Sequence, residues 1–219
     1  MRRPAKILFW AGGAVIVLVL GISIAAFFVL QSEWFYNKVR DRLVYEVERA
    51  SGGTSQIGSF QIDWKTLTAR VHGFVLHGTE PPDVPPLFRA EQIEVGLKII
   101  SLIKKDVDIA SLIVDQPRIH ILVDESGKTN IPAPKVRRTS TKSPIETILD
   151  LAVRDFRLND GQMIYDSRTI PISVRGEDLH VHFTYNSAVP RYEGNVAFFR
   201  LNVDAPGFSP VAFTVDAAL

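Results

Sequence analysis

The chain has no cysteine, which excludes structural disulfides and thiolate metal sites. It also lacks an excess of either charge: 25 Lys and Arg face 24 Asp and Glu. Such balance supplies no field that would gather nucleic acid. No GxSxG, HExxH or GxxxxGK[ST] occurs anywhere in the 219 residues, so nucleophile-elbow, zincin and P-loop chemistry have no sequence support. The carboxylates are scattered. Asp106 with Asp108 reads as a solvated strand start rather than an acid–base pair. Histidines occur at His72, His77, His120, His180 and His182. The last two share one side of a strand, opposite Leu179, Val181 and Phe183, and the neighbouring sequence offers no cluster to complete a ligand set. No catalytic residue, metal site or cofactor is therefore assigned, and the expectation is a protein that is not an enzyme.

What the chain does have is one long apolar run. Ile7–Leu30 carries no charge, and Ser23 is its only clearly polar side chain. As a helix it would extend about 36 Å, enough to cross a hydrocarbon core of about 30 Å. Its Leu, Ile, Val and Phe residues make insertion favourable without a partner. The alternative is a cleaved signal peptide with Arg2, Arg3 and Lys6 as the basic n-region, but h-regions usually run only about 7–15 residues. The expected arrangement is a cytoplasmic basic segment over 1–6, an uncleaved signal anchor over 7–30, and an exported body. No GxxxG pair marks a dimerisation face.

Trp34, Phe35 and Tyr36 follow at once, as residues that settle at the headgroup level do. Phe35, Val39, Leu43 and Val47 then recur every four positions, which predicts an amphipathic helix within 31–53. Ser32 suits its N-cap and Gly52-Gly53 its end. This helix either lies near the bilayer or packs on the following domain.

Beyond Gly53 the period drops to two. Phe60, Ile62 and Trp64 alternate with polar residues, as do Leu67, Ala69 and Val71. The same pattern covers Ile93, Val95, Leu97 and Ile99, then Ile119, Ile121 and Val123, then Ile170, Ile172 and Val174. It continues through Leu179, Val181, Phe183 and Tyr185 to Val211, Phe213 and Val215. Alternation of this kind predicts strands with one apolar and one wet face. Asp124–Gly127 and Asn159-Asp160-Gly161 carry hairpin signals. A basic, apolar-poor linker with a short helix opening at Pro144 is expected over 135–153. It separates a first β region, 54–134, from a second, 154–219. Lys135, Arg137, Arg138 and Lys142 in this linker read as a solvated run, with contact to anionic headgroups as the alternative.

Gly73-Phe74-Val75-Leu76, Ser111-Leu112-Ile113-Val114 and Asp155-Phe156-Arg157-Leu158 resemble one another at spacings of 38 and 44. Loose repeats of this length suggest one supersecondary unit added in series. The last strand, Val211–Leu219, reads as an unpaired edge. Either a partner covers it or the chain is the opening part of something longer.

Several of these stretches carry a family likeness. The basic start and apolar run, the Trp-Phe-Tyr helix and Ile57-Gly58-Ser59-Phe60-Gln61-Ile62-Asp63-Trp64 resemble the opening of AsmA-like proteins. Leu87–Leu97 resembles the family's second strand. Val114-Asp115-Gln116-Pro117-Arg118-Ile119-His120-Ile121 through Gly127-Lys128-Thr129-Asn130-Ile131-Pro132 resembles its P-x-[IV]-x-[ILV] … G-x-x-N signature. Within the family the likeness is greatest to the amino-terminal region of the TamB branch. The resemblance implies a bacterial inner-membrane anchor and a periplasmic body. It also implies an elongated, curved, antiparallel-type sheet that forms a groove for phospholipid acyl chains in outer-membrane biogenesis. The implied partners are the phospholipid bilayer and an outer-membrane barrel protein of the TamA kind. This chain is far shorter than full members, and the region that would dock TamA lies outside it. Expected groove residues are Ile93, Val95, Leu97, Ile119, Ile121, Leu179, Val181 and Phe183, with Trp34, Phe35 and Tyr36 at the membrane interface. The second reading is an assembly factor that holds outer-membrane or secreted client chains by strand addition at a free edge, without lipid transport.

Overall fold

A computed structural model of the chain describes residues 18, 20–21, 28–29, 31–97, 109–135, 153–186, 191–209 and 211–218. The chain divides into two compact units, Met1–Arg42 and Leu43–Leu219. Of the expected anchor, Leu18, Leu20, Gly21, Phe28 and Val29 are helical, and the rest of 7–30 lies outside the described residues. No helix among the described residues is long and apolar enough to cross a membrane. Ile99, the Asp106/Asp108 pair and the expected short helix after Pro144 also lie outside them.

Helix α1 spans Glu33–Ser51. Ser32 caps it as expected, its Oγ accepting the Phe35 N–H at 3.2 Å. Gly52 ends it in the left-handed region (φ +84), its N–H reaching the Glu48 carbonyl at 2.9 Å. A Cβ at Gly52 would collide with the Ala133 carbonyl, so close approach and backbone angle both require glycine there. The Glu48 carboxylate then accepts the Ser55 N–H (2.9 Å), tying the helix end to the first strand.

Among the described residues nine strands form a single sheet: β1 Thr54–Asp63, β2 Thr68–His77, β3 Phe88–Leu97, β4 Ile109–Asp115, β5 Arg118–Val123, β6 Asp155–Ser167, β7 Ile172–Asn186, β8 Arg191–Asp204 and β9 Val211–Ala218. The order is β1-β2-β3-β4-β6-β7-β8-β9, with β5 pairing β3 and β6. β4 and β5 follow one line, interrupted at Gln116–Pro117, where proline cannot donate to a ladder. Among the described residues the fold is thus mainly β, as expected, with the helix expected within 31–53, but the sheet is mixed rather than antiparallel throughout. Both β4 and β5 run parallel to β6, which the long intervening connection permits. Through these pairs the two expected β regions join in one sheet. The repeat spacing of 44 has a direct spatial meaning, since Ser111, Leu112, Ile113 and Val114 pair in register with Asp155, Phe156, Arg157 and Leu158.

Three local readings are corrected. Asn159-Asp160-Gly161 is not a hairpin tip but a bulge inside β6, with Asp160 at φ +54. Trp64, Leu67 and Ile170 fall in turns rather than strands. Leu67 closes the β1–β2 turn at φ +52 behind Asp63, whose Oδ1 accepts the Lys65 and Thr66 N–H groups. β8 had no sequence expectation, because Ala197-Phe198-Phe199-Arg200 breaks its alternation. By contrast, Asp124–Gly127 does turn the chain, with the Asp124 N–H donating to the Lys128 carbonyl at 2.9 Å.

A line of backbone irregularities crosses the sheet transversely. Gly73 (φ +61) stands opposite Glu91, and Glu91 opposite Gln116 (φ +49). Gln116 is opposite Asp160, Asp178 (φ +58) lies on the adjacent β7, and the β8 bulge at Phe199–Arg200 completes the line. Each extra residue offsets a slip in the sequence alternation. Phe198 and Leu201, three apart on β8, pair with Val215 and residue 213, two apart on unbroken β9. Without the bulge one half of β8 would turn its apolar side chains to the wrong face.

Candidate functional site: an apolar sheet face

Residues directly opposite each other on paired strands share a face, so the registers decide which side chains meet. Val95 pairs with Leu112, Leu112 with Phe156, and Phe156 with Phe183. Ile93, Val114, Leu158, Val181 and Val196 make the next row. Leu179, Phe198 and Val215 make another. Past the seam, Ile119 meets Met163, while Ile121 meets Tyr165, which meets Val174 and then Val203. Because the bulges absorb the odd residues, these rows belong to the same face as Leu158 and Leu179. All the expected groove residues therefore lie on one side of the sheet, drawn together from β3, β5 and β7. Leu97, opposite Ile109 past a register shift, extends the set along β3.

The face is only partly covered. Leu179, Val114 and Leu158 are buried, whereas Ile93, Val95, Leu97, Ile119, Ile121, Val181 and Phe183 are half-buried. A second layer sealed over the sheet would bury all of them. Aromatic pairs reinforce the surface: the Phe156 and Phe183 rings stack with centroids 6.5 Å apart, and Tyr185 and Tyr192 pair at 5.1 Å.

The opposite face is wet and laced with polar contacts within and between strands. Arg70 Nε meets Glu94 Oε2 at 2.8 Å. Arg157 meets Asp155 at 2.8 Å, and His182 Nε2 lies 3.1 Å from the same carboxylate. Arg200 faces Glu177 at 3.4 Å, and the Asn159 amide donates to Asp115 at 2.8 Å. His182 is exposed there, as the alternation predicts. His180, however, is not remote from carboxylates: the two bulges bring Asp160 and Asp178 to 3.5 and 3.7 Å from its Nε2. Sequence spacing could not show this, since Asp160 arrives from the neighbouring strand. The three form an exposed or half-exposed acid–histidine cluster.

Trp34 is exposed, and Phe35 and Tyr36 are half-buried with their rings edge to face at 5.9 Å. They lie in the amino-terminal unit, apart from the sheet residues in sequence.

Two buried polar knots were not evident from sequence. The Glu80 side chain is 1 % exposed. It accepts the Gly78 N–H at 2.9 Å and the Leu87 N–H at 3.3 Å, with His77 Nδ1 at 3.2 Å. Asn130, itself buried, donates to the His120 carbonyl (2.9 Å) and accepts the Leu122 N–H (3.0 Å). In the second knot, His120 Nε2 sits 3.0 Å from Asp166, and the Ser173 hydroxyl donates to the same carboxylate at 2.7 Å. Burial opposes the Asp166 charge, but the bonds from Ser173 and His120 outweigh it and hold its pKa below the usual carboxylate value. These knots brace the loop and hairpin at one end of the sheet and carry no arrangement for nucleophilic attack.

Compared with known proteins, no family model and no curated protein matches the chain.

Proposed function

We propose that this chain is an AsmA-like protein anchored in the bacterial inner membrane, its body in the periplasm. In this reading it carries phospholipid acyl chains along an apolar sheet groove in outer-membrane biogenesis. The observation that carries the proposal is the continuous apolar face from β3 to β9, half-covered rather than sealed. An acyl chain is recognised by unbroken apolar area, not by one polar contact, and no single side chain on this face is unique. The bulge line favours a bent, strongly twisted sheet, as a groove requires. The apolar run 7–30 supports the anchor, and the stretches quoted above resemble the TamB branch. A TamA-like barrel remains the partner that this likeness suggests.

Photocrosslinkers at Val95, Ile121 and Phe183 in cells are expected to trap phospholipid, whereas Gln61, Arg157 and His182 on the wet face trap none. Equal labelling from both faces, or none from either, would overturn the lipid reading.

A second reading rests on the edges. β1 and β9 each pair on one side only among the described strands, so either could accept a client strand. Crosslinks from Gln56 or Ala212 to nascent barrel proteins, with no lipid adduct from the apolar face, would favour it. Neither reading assigns a catalytic step.

A further inference from the structure

The observation left unused by the acyl-chain reading is a cleft of about 600 Å³ at the end of the sheet where β5 and β6 finish. One wall is the segment after the β5 turn, which doubles back along β5 through the Val123–Thr129 bridge and the Asn130 N–H to Leu122 carbonyl bond (3.0 Å). The other is the start of the β6–β7 turn, held where the Arg168 N–H donates to the Val123 carbonyl at 2.9 Å. Much of the lining is apolar, from Pro81, Leu122, Ile131 and Pro132. Ile131 is 53 % exposed, an apolar side chain standing open in a concave site. Leu122 alternates with Ile121 and Val123, so the cleft does not open from the apolar face described above.

Its charges are balanced in number but not in pairing. Two carboxylates line it, and both are already occupied. Glu80 is buried against the Gly78 and Leu87 N–H groups. Asp124 Oδ1 accepts the Ser126 N–H and hydroxyl and the Lys128 N–H at 2.7–3.0 Å. Two cations line it as well, Lys128 and Arg168. Lys128 interacts with Asp124 electrostatically, while Arg168 has no carboxylate partner among the described residues. An apolar hollow with a guanidinium at its edge that no carboxylate contacts fits a ligand that is anionic at one end and apolar at the other.

We propose that this cleft binds an amphipathic phosphate ester, with its phosphate on Arg168 and Lys128 and its apolar part against Leu122, Ile131 and Pro132. An arginine fork pairs with two phosphate oxygens at once, and the volume accommodates a glycerophosphate with the first carbons of its acyl chains. The shared chemistry could come from an anionic phospholipid headgroup or from a soluble phosphate ester. The site stands independently of the acyl-chain proposal, because it uses different residues.

The test is calorimetric titration of the full-length chain in a zwitterionic detergent. The probes are monomeric dihexanoyl phosphatidylglycerol, dihexanoyl phosphatidylcholine and glycerol 3-phosphate. Saturable binding of phosphatidylglycerol is expected, weakened about tenfold or more by Arg168→Gln, as loss of a charge-assisted contact implies. Lys128→Gln weakens it less, and Arg200→Gln on the wet face leaves it unchanged. An unaltered thermal midpoint for Arg168→Gln separates lost binding from misfolding. Binding of glycerol 3-phosphate alone, still sensitive to Arg168→Gln, supports the site and assigns a soluble ester. Equal affinity for phosphatidylcholine, no dependence on Arg168, or no saturable binding of any probe overturns the proposal. None of these outcomes bears on crosslinking from Val95 or Phe183.

Discussion

A carboxylate with almost no contact with water has to find its hydrogen bonds in the protein, and Glu80 finds them on both sides of its own position in the β2–β3 loop. Its oxygens accept the Gly78 and Leu87 N–H groups, so the proline-rich stretch between β2 and β3 closes on its own first residue. Removing the acceptor strands those donors, and each buried donor left unmet costs about 1–3 kcal/mol. Glu80→Ala is expected to lower unfolding free energy by about 2–4 kcal/mol in denaturant titration, and Glu80→Gln, which keeps one acceptor oxygen, by less. Asp166 makes a prediction in pH. Its folded pKa is depressed, so its contribution is present above the unfolded value of about 3.9 and is lost as pH falls through the folded one. Asp166→Asn should flatten the acid limb of the stability profile below about pH 4, read by circular dichroism against pH. An acid limb that matches the wild type would show that the His120–Ser173–Asp166 knot does not couple to folding. At this scale the helix signals were legible, because a cap is a short-range event: Ser32 and Gly52 act on residues within one turn. The knots were not, because Glu80 with Asn130, and His120 with Asp166, meet across about fifty residues of chain.

The strands were visible wherever alternation survived, as in Ile93–Leu97 and Leu179–Tyr185. They were obscured where an extra residue interrupts it. Asn159-Asp160-Gly161 illustrates the difficulty. A hairpin turn and a bulge both ask for a residue at positive φ, and Asp and Gly satisfy either. Only the partner strand distinguishes them: β6 runs on past Asp160 because β5 and β7 continue to pair with it. Gln116 has no local reason to adopt φ +49, since a left-handed L-residue costs roughly 1–2 kcal/mol. Relief of that cost, offset by glycine's greater unfolded-state entropy, leaves a net gain of about 0.5–1 kcal/mol expected for Gln116→Gly. Glycine at Ile113, in regular β4, should instead destabilise. If Gln116→Gly loses stability in chemical denaturation, the positive φ is not intrinsic to that position.

Across the whole β unit the governing feature is a single sheet with one apolar side left half-covered. Charge placed on that side tests whether it is a core or a surface. Val95→Asp or Phe183→Arg in a sealed core would leave an unpaired buried charge and cost about 3 kcal/mol or more. On a half-covered face the ion can turn to water, so a loss nearer about 1 kcal/mol is expected, together with loss of phospholipid crosslinking from Leu112, in the same row as both. Leu179→Ala, at one of the face's few buried positions, should cost more than Ile121→Ala in the same assay.

Alternation by itself determined that the body is β and which residues share a side within each unbroken run, because the pleat has a fixed period of two. Composition and spacing likewise determined where helix α1 begins and ends. Only the tertiary structure decided how the strands are ordered, that β4 and β5 lie parallel to β6, and that five bulged or left-handed positions line up into one seam. Strand order and register depend on pairings between segments far apart in sequence, and no local preference encodes which of two equally greasy strands will be the neighbour. The same is true of the cleft at Arg168: its cations and apolar walls come from separate turns that meet only once the sheet has formed.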